Sequence, residues 1–325
     1  MKAIIHPRYG SANVLEIKEI KTPEPKDNEV RVKIYAATVS ATDAIFRSGK
    51  PFVSRSATGL LKPKHVIPGD IFSGEIDAVG KEVTRFKKGD RVYGATGAGF
   101  GAHAEYICLP ENSALTGKPS NLNDGEAAAV CEGALTALPF LRDSARLQRG
   151  QKILINGASG SIGSIAVQLA KNEGAEVTGV CSTANMEFVH SLGADKVIDY
   201  TREDFTGNGE VYDVIFDSVG KSSFTRSKIA LTQKGIYLST VLTFDVLFQM
   251  LKTSKTGGKK AAIAFTGLRP ATERVKDLTF LTSLIEAGQI KPSIDKIYSL
   301  TQIAEAHRYV ETGHKRGVVV ITVAE

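Results

Sequence analysis

Residues 150–168 read GQKILINGASGSIGSIAVQ, and the fold follows from them. Residues 152–156 form a short apolar strand. It runs into Ala158-Ser159-Gly160-Ser161-Ile162-Gly163. A helix follows at once over residues 161–172, with Ile162, Ile165, Ala166, Leu169 and Ala170 at helical spacing. Small residues in such a turn let the backbone approach a pyrophosphate. The first helical N–H groups, at the positive end of the helix dipole, then hold it. The first glycine of G-x-G-x-x-G is Ala158 here, so the pattern reads A-x-G-x-x-G. Alone that motif is weak. A strand before it, a helix after it and further strand–helix units downstream make it specific for a dinucleotide. The competing reading is a glycine-rich turn that only packs tightly.

Working outward, strands are expected at residues 177–181, 196–199, 211–217, 235–239 and 261–265, with helices at 184–192 and 222–231. Strands alternating with helices imply a parallel sheet covered on both faces. Upstream, residues 124–141 read as a helix with Asp124 at its N-cap. The first 120 or so residues read as mostly strand, punctuated by Pro23, Pro25, Pro51, Pro63 and Pro68. After Thr266 the expectation is a helix over 273–287, a strand at 297–300, a helix over 303–312 and a last strand at 318–323.

The 325 residues are too many for one ordinary core and suit two domains. With 42% hydrophobic and 23% charged residues, disorder is excluded. No run approaches the ~20 apolar residues that span a bilayer, and residues 1–9 lack a signal-peptide core, so a cytoplasmic location is expected. Cys108, Cys131 and Cys181 stand far apart with no C-x-x-C pair and read as small buried hydrophobes. The net charge of +6 is scattered, except at Lys252, Lys255, Lys259 and Lys260. That cluster, without tryptophan or interleaved aromatics, does not suggest a nucleic-acid partner. Residues 242–260 are apolar, then basic. They read as a core-packed helix and a solvated loop, as a wall of a substrate mouth, or as a membrane-surface element.

The end of the second strand of the dinucleotide fold chooses between NADH and NADPH. An acid about 20 residues past the turn would bind a ribose 2′-hydroxyl. Here Ser182, Thr183 and Asn185 precede the first acid, Glu187. Two hydroxyls and an amide suit a 2′-phosphate, and Tyr200 adds a phenol after the third strand. NADPH is therefore expected over NADH, although no neighbouring Lys or Arg is evident. Ser182 and Thr183 also serve to cap the helix that follows.

With these residues in place the chain resembles the medium-chain dehydrogenase/reductase superfamily, in its zinc-free quinone oxidoreductase (ζ-crystallin-like) branch. The resemblance spans nearly the whole chain. Its marks are MKAI at 1–4, DAIFRSG at 43–49, Pro68-Gly69-Asp70 with Gly74, Val79-Gly80, GDRV at 89–92, GALTA at 133–137, the 150–171 block, LGAD at 192–195 and DSVG at 217–220. It implies an α/β architecture. A GroES-like, β-rich catalytic domain would comprise residues 1–122 and 267–325, and a Rossmann doubly wound parallel-sheet domain residues 123–266. It also implies a homodimer. Carried over by residue, Thr136 contacts the nicotinamide side of the cofactor, and Ser159, Gly160, Ser161, Ile162 and Gly163 hold the pyrophosphate. Ser182, Thr183 and Tyr200 lie at the adenosine phosphate. Ser218 and Val219 line the cofactor trough, and Arg316 or Lys315 is a further phosphate contact.

Zinc enzymes of the superfamily carry a catalytic Cys, a His-Glu pair and a second Cys. Those positions resemble Ser40, Asp70-Ile71 and Glu132 here, a set without thiolate or imidazole, so no zinc is expected. Reduction of a quinone or a conjugated C=C then becomes the expected chemistry, since charge delocalises onto a far oxygen. Thr42, flanked by Ser40 and Asp43, is the candidate proton relay. The bland alternative is that all three only satisfy backbone at a strand end. Two other functions stay open: an NADPH-dependent ketone or aldehyde reductase, and a non-catalytic NADPH-binding protein with an RNA-binding or structural role.

Overall fold

The structure, a computed structural model, describes residues 1–255 and 257–324, with every side chain but that of Ala57. The chain divides into two compact units. One comprises residues 1–132, 267–288 and 292–325, and the other residues 133–266 and 289–291.

The second unit is built on the apolar run of Lys152–Asn156, a strand buried over Ile153, Leu154, Ile155 and Asn156. Continuous burial requires a neighbour on both edges and cover on both faces. Glu176–Cys181 lies parallel on one side and Tyr212–Asp217 on the other. The full order is Lys196–Asp199, Glu176–Cys181, Lys152–Asn156, Tyr212–Asp217, Leu231–Ser239 and Lys260–Ala262, parallel throughout. This is the doubly wound order, and it reverses direction between Lys152–Asn156 and Tyr212–Asp217. Ligands of such sheets bind at that switch point. The long helix Ser161–Asn172 buries Ile165, Ala166, Leu169 and Ala170, as their spacing predicts.

Several boundaries differ from expectation. The helix expected over 222–231 shrinks to Phe224–Ser227 and a 3-10 turn, Lys228–Ala230. Leu231 is captured by Tyr212 at the start of a nine-residue strand, so ladder pairing overrides helical propensity. The final strand of this sheet is Lys260–Ala262, shorter than the apolar run that suggested it. Asp124 is not the cap of its helix. Asn123 Oδ1 accepts from Glu126 N at 2.9 Å, and Glu126 Oε2 accepts from Asn123 N at 2.9 Å. Asp124 instead pairs with Arg91 and accepts from Ser73 Oγ at 2.9 Å.

In the first unit, Glu29–Val39 is the organising strand. It alternates half-buried and buried residues up to Tyr35 and is wholly buried from Ala36 on, following its early charge alternation and later apolar run. It pairs antiparallel with Ile71–Val79, Val318–Thr322 and Tyr106–Pro110. Ile294–Ser299, Arg91–Ala95 and Ala114–Gly117 complete the sheet. Val30, Val32, Ile34, Phe72, Ile76, Leu115, Val319 and Ile321 share one core. The helix Ala41–Ser48 was not expected in a stretch read as strand. It is capped at one end by Ser40 and closed at the other by Gly49 in the left-handed region (φ 63°).

Arg47 on that helix is fully buried. It pairs with Glu311 of the helix Ile303–Glu311 and donates to Gly10 O at 3.2 Å. Around it lie three buried histidines. His6 Nε2 is 2.8 Å from His65 O, His103 Nε2 is 2.8 Å from Thr38 O, and the His103 and His307 rings meet edge-on at 6.2 Å. Burial pushes His307 well below the ordinary histidine range and lowers His6, and their mutual repulsion and Arg47 act in the same direction. A folded-state pKa below the unfolded one means that the unfolded chain binds protons first. The stability these groups contribute is present above about 6.5, the unfolded value, and is lost as pH falls through the folded values. Melting temperature should therefore hold above pH 7 and decline below about 6.5, at roughly 1.4 kcal/mol per pH unit per histidine. His307→Leu should flatten that decline in a thermal-shift series from pH 8 to 5.5. An unchanged slope would show that the buried ring is not its source.

Candidate cofactor-binding site

The turn after Lys152–Asn156 is shaped by three close approaches. Gly157 takes the left-handed conformation (φ 81°). A Cβ there would lie 2.5 Å from Val219 Cγ1 and 2.9 Å from Ser218 Oγ. A Cβ at Gly163 would fall 2.1 Å from Gly157 O. The left-handed residue is thus Gly157, one place before the position at which the G-x-G-x-x-G pattern puts its first glycine. Ala158 needs no such freedom. Its N–H and that of Gly157 donate to Val180 O at 3.0 and 3.1 Å, which ties the turn to the neighbouring strand. Gly160 is the N-cap of Ser161–Asn172 and offers no side chain to the first-turn N–H groups. Those donors, in Ser161, Ile162 and Gly163, remain available to an anion. Across from them, a Cβ on Gly133 would lie 2.3 Å from Ser161 O, so the helix carrying Gly133 presses against this N-terminus. Thr136, half-buried, follows one turn later on the same helix face.

The second group of expected residues sits beside this turn. Asn185 Nδ2 donates to Ser159 Oγ at 3.2 Å and to Ser182 Oγ at 3.4 Å. One amide thus bridges the phosphate turn and the end of the second strand. Thr183 donates its hydroxyl to Asp199, at the end of the third strand. Asp199 also accepts from Thr201 N and Oγ1 at 3.0 and 2.7 Å, and Arg202 Nε stands 3.5 Å away. The Thr183 hydroxyl, then the Thr201 donors and Arg202, hold the Asp199 carboxyl below its usual range. Tyr200 is exposed, with its N–H on Cys181 O at 3.0 Å. Arg202 is a cation beside this cluster that the sequence reading did not find. Its signal was only that it follows Tyr200 by two positions.

Ser218 Oγ donates to Asn156 O at 2.8 Å, and Val219 leaves an exposed side chain against Gly157. Both are held by Asp217, whose buried carboxylate accepts from Val219 N, Gly220 N, Ser222 N, Asn156 Nδ2 and Tyr237 Oη. Ser159 to Gly163, Ser182, Thr183, Ser218 and Val219 are therefore brought together within one unit.

Ser40, Thr42, Asp43 and Arg316 belong to the other unit. Ser40 and Asp43 form a capping box. Asp43 N donates to Ser40 Oγ at 3.2 Å, and Ser40 N and Oγ donate to Asp43 Oδ2 at 2.8 and 2.7 Å. These two satisfy each other and the backbone at a helix start. Thr42 is exposed in the first turn. Asp70 keeps part of its surface open, yet its carboxyl is pushed well above the usual range by burial, then by Asp43 and Glu132, with Arg274 opposing. Lys315 Nζ donates to Gly317 O at 2.8 Å and lies 3.9 Å from Glu132. Its burial lowers the amine below the usual lysine range. Arg316 is exposed, and its N–H donates to Asp295 Oδ2 at 2.8 Å. Of these two candidate phosphate contacts, the lysine lies near Glu132 and the arginine is exposed to solvent. Among the described residues no group of three or more His, Cys, Asp or Glu is arranged to hold a metal ion.

Comparison with known proteins matches residues 26–120 to an alcohol dehydrogenase GroES-like domain and residues 192–321 to a zinc-binding dehydrogenase model. A 2-methylene-furan-3-one reductase of Solanum lycopersicum is 32% identical, over 99% of this chain and 79% of that protein. The solved quinone oxidoreductase of Coxiella burnetii is 29% identical with a TM-score of 0.88, covering 100% of this chain and 99% of that one. The Escherichia coli quinone oxidoreductase complexed with NADPH is 26% identical with a TM-score of 0.84, covering 99% and 100%.

Proposed function

The chain belongs to the medium-chain dehydrogenase/reductase superfamily, among its quinone oxidoreductases, and we propose that it is an NADPH-dependent, zinc-independent reductase of quinones or α,β-unsaturated carbonyls. One observation carries the reading: the glycine cradle at Gly157, Gly160 and Gly163 is joined by Asn185 to Ser182 at the end of the second strand. Gly157 and Gly163 let the turn and the helix start pack against each other, and Gly160 leaves the first-turn N–H groups uncapped for an anion, so the residues fit a dinucleotide. NADPH is favoured over NADH because Ser182 and Tyr200 present hydroxyls, while Thr183 donates its own to Asp199. Arg202 adds a cation, and Asp199 is already occupied by Thr183 and Thr201. Residues 123–266 would serve the cofactor, and residues 1–122 and 267–325 the substrate, in a homodimer in the cytoplasm.

NADPH, when bound, supplies the hydride. The protein's part is to place it and to stabilise the charge left on the substrate oxygen. Ser159 to Gly163 would anchor the pyrophosphate, while Thr136, Ser218 and Val219 position the nicotinamide half and Arg316 adds a phosphate contact. The residues at the zinc positions do not fit that metal. Ser40 Oγ is committed to Asp43, and Asp70 and Glu132 are hard oxygen ligands without a thiolate or imidazole. Burial, then Asp43 and Glu132, push the Asp70 carboxyl above its usual range, which would let it serve as a hydrogen-bond donor, and Thr42 offers an exposed hydroxyl for proton transfer.

The test is oxidation of NADPH, and of NADH in parallel, by chelator-treated protein with quinones, enones and simple ketones. Turnover of quinones or enones that survives chelation and prefers NADPH is the expected result. Turnover of ketones alone, or loss of activity on chelation, would overturn the reading.

A further inference from the structure

We propose that the helix Phe244–Thr253 and the lysines after it form a docking surface for an anionic lipid bilayer. Val246 anchors this ten-residue helix in the core it shares with Leu154, Ile215 and Tyr237. Thr253 Oγ1 accepts from Ala261 N at 3.0 Å and fixes its far end. With its inner face so held, the helix cannot turn its outer face inward. That outer face carries Phe244, 93% exposed, Phe248, 62% exposed, and Leu251, 71% exposed. They stand at i, i+4 and i+7, so they form one stripe.

Soluble surfaces carry isolated apolar residues as a rule, but a contiguous apolar stripe marks an interaction site. The expectation of a core-packed helix thus holds for one face only. Charge decides what the stripe meets. Lys252 lies in the last turn of the helix and Lys255 just past its end, with Lys259 and Lys260 following in the sequence. Against these four lysines the segment 242–260 has one acid, Asp245, whose carboxylate accepts from Gln249 at 3.4 Å. A second copy of the chain would bring the same excess of lysine and little to neutralise it. A bilayer of anionic lipid offers an apolar layer for Phe244, Phe248 and Leu251 and phosphates for Lys252 and Lys255, while Lys259 Nζ donates to Lys228 O at 2.8 Å and Lys260 lies in the strand Lys260–Ala262. No helix among the described residues is long and apolar enough to cross a membrane, so the contact is peripheral.

The test is co-sedimentation of the full chain with phosphatidylglycerol vesicles and with phosphatidylcholine vesicles, read without any activity assay. Binding to the first and not the second, weakening with salt, is expected. Phe244→Ser with Phe248→Ser should weaken it at least about tenfold. Each of Lys252→Glu and Lys255→Glu should weaken it about fivefold or more. These side chains are exposed, so the variants should fold as the parent does. Three outcomes would overturn the proposal. One is no binding to phosphatidylglycerol, and another is undiminished binding by the double serine variant. The third is a dimer that the serine substitutions dissolve without any vesicle binding, which would assign the stripe to a second copy.

Discussion

Gly163→Ala should raise the dissociation constant for NADPH by at least about a hundredfold, the largest effect expected of a single methyl group in this protein. The added Cβ would fall 2.1 Å from Gly157 O and 2.8 Å from Ala158 Cα. Both are backbone atoms, so no side chain can swing aside. Relief requires the helix start to withdraw from the turn, and the turn is itself tied to Val180 O through Gly157 and Ala158. A displacement near 1 Å takes the first-turn N–H groups out of hydrogen-bonding range of a pyrophosphate, and loss of two charge-assisted bonds costs about 3 kcal/mol or more, beyond a hundredfold. Gly117→Ala is the control, because a Cβ there meets nothing within 4 Å and its backbone is not left-handed. Titration calorimetry with NADPH reads both variants. Near-normal affinity in Gly163→Ala would mean that the cradle does not hold the pyrophosphate.

The alternation of apolar strands with helices from residue 152 to 239 was legible because each element repeats a period that only one structure satisfies. Lys152–Asn156 and Ser161–Asn172 lie where the periodicity places them. The irregular β-rich part was less so. Ala41–Ser48 is amphipathic, but its polar side holds Asp43 and Arg47, which are buried and satisfied by capping or by a partner distant in sequence. A buried ion pair reads as surface in a sequence. Likewise Gly157 escaped attention because a motif counts residues, whereas the left-handed turn is set by how far the strand extends. Arg202 and Asp199 became visible as part of the cofactor cluster only through Thr183, since the parallel pairing of Lys196–Asp199 with Glu176–Cys181 brings the two strand ends together. Ser40 and Asp43 show the opposite case: a spacing read as chemistry also makes a capping box.

Asp217→Ala should be the most destabilising substitution in the dinucleotide-binding unit, lowering stability by about 4 kcal/mol. The carboxylate is completely buried and accepts from three backbone N–H groups, those of Val219, Gly220 and Ser222, at 3.2, 2.9 and 2.9 Å. It also accepts from Asn156 Nδ2 at 3.0 Å and Tyr237 Oη at 2.9 Å. Truncation strands five donors, and a buried donor without a partner costs roughly 1–3 kcal/mol. Water entering the space left by the side chain recovers part of that, which is why the expected total is below the sum. Such a loss should lower the melting temperature by about 10 °C, taking roughly 2–4 °C per kcal/mol for domains of this size. A graded series separates the carboxylate from the space it fills. Asp217→Asn keeps one acceptor and should fall between Asp217→Ala and Tyr237→Phe, which removes one donor and should cost about 1 kcal/mol. Since the same carboxylate fixes the turn carrying Ser218 and Val219, NADPH affinity should fall in the same order. A melting temperature unmoved by Asp217→Ala would show that the turn is held by strand pairing alone. Affinity that falls in Tyr237→Phe as far as in Asp217→Ala would place the effect on the tyrosine, since that variant leaves the three backbone donors their acceptor.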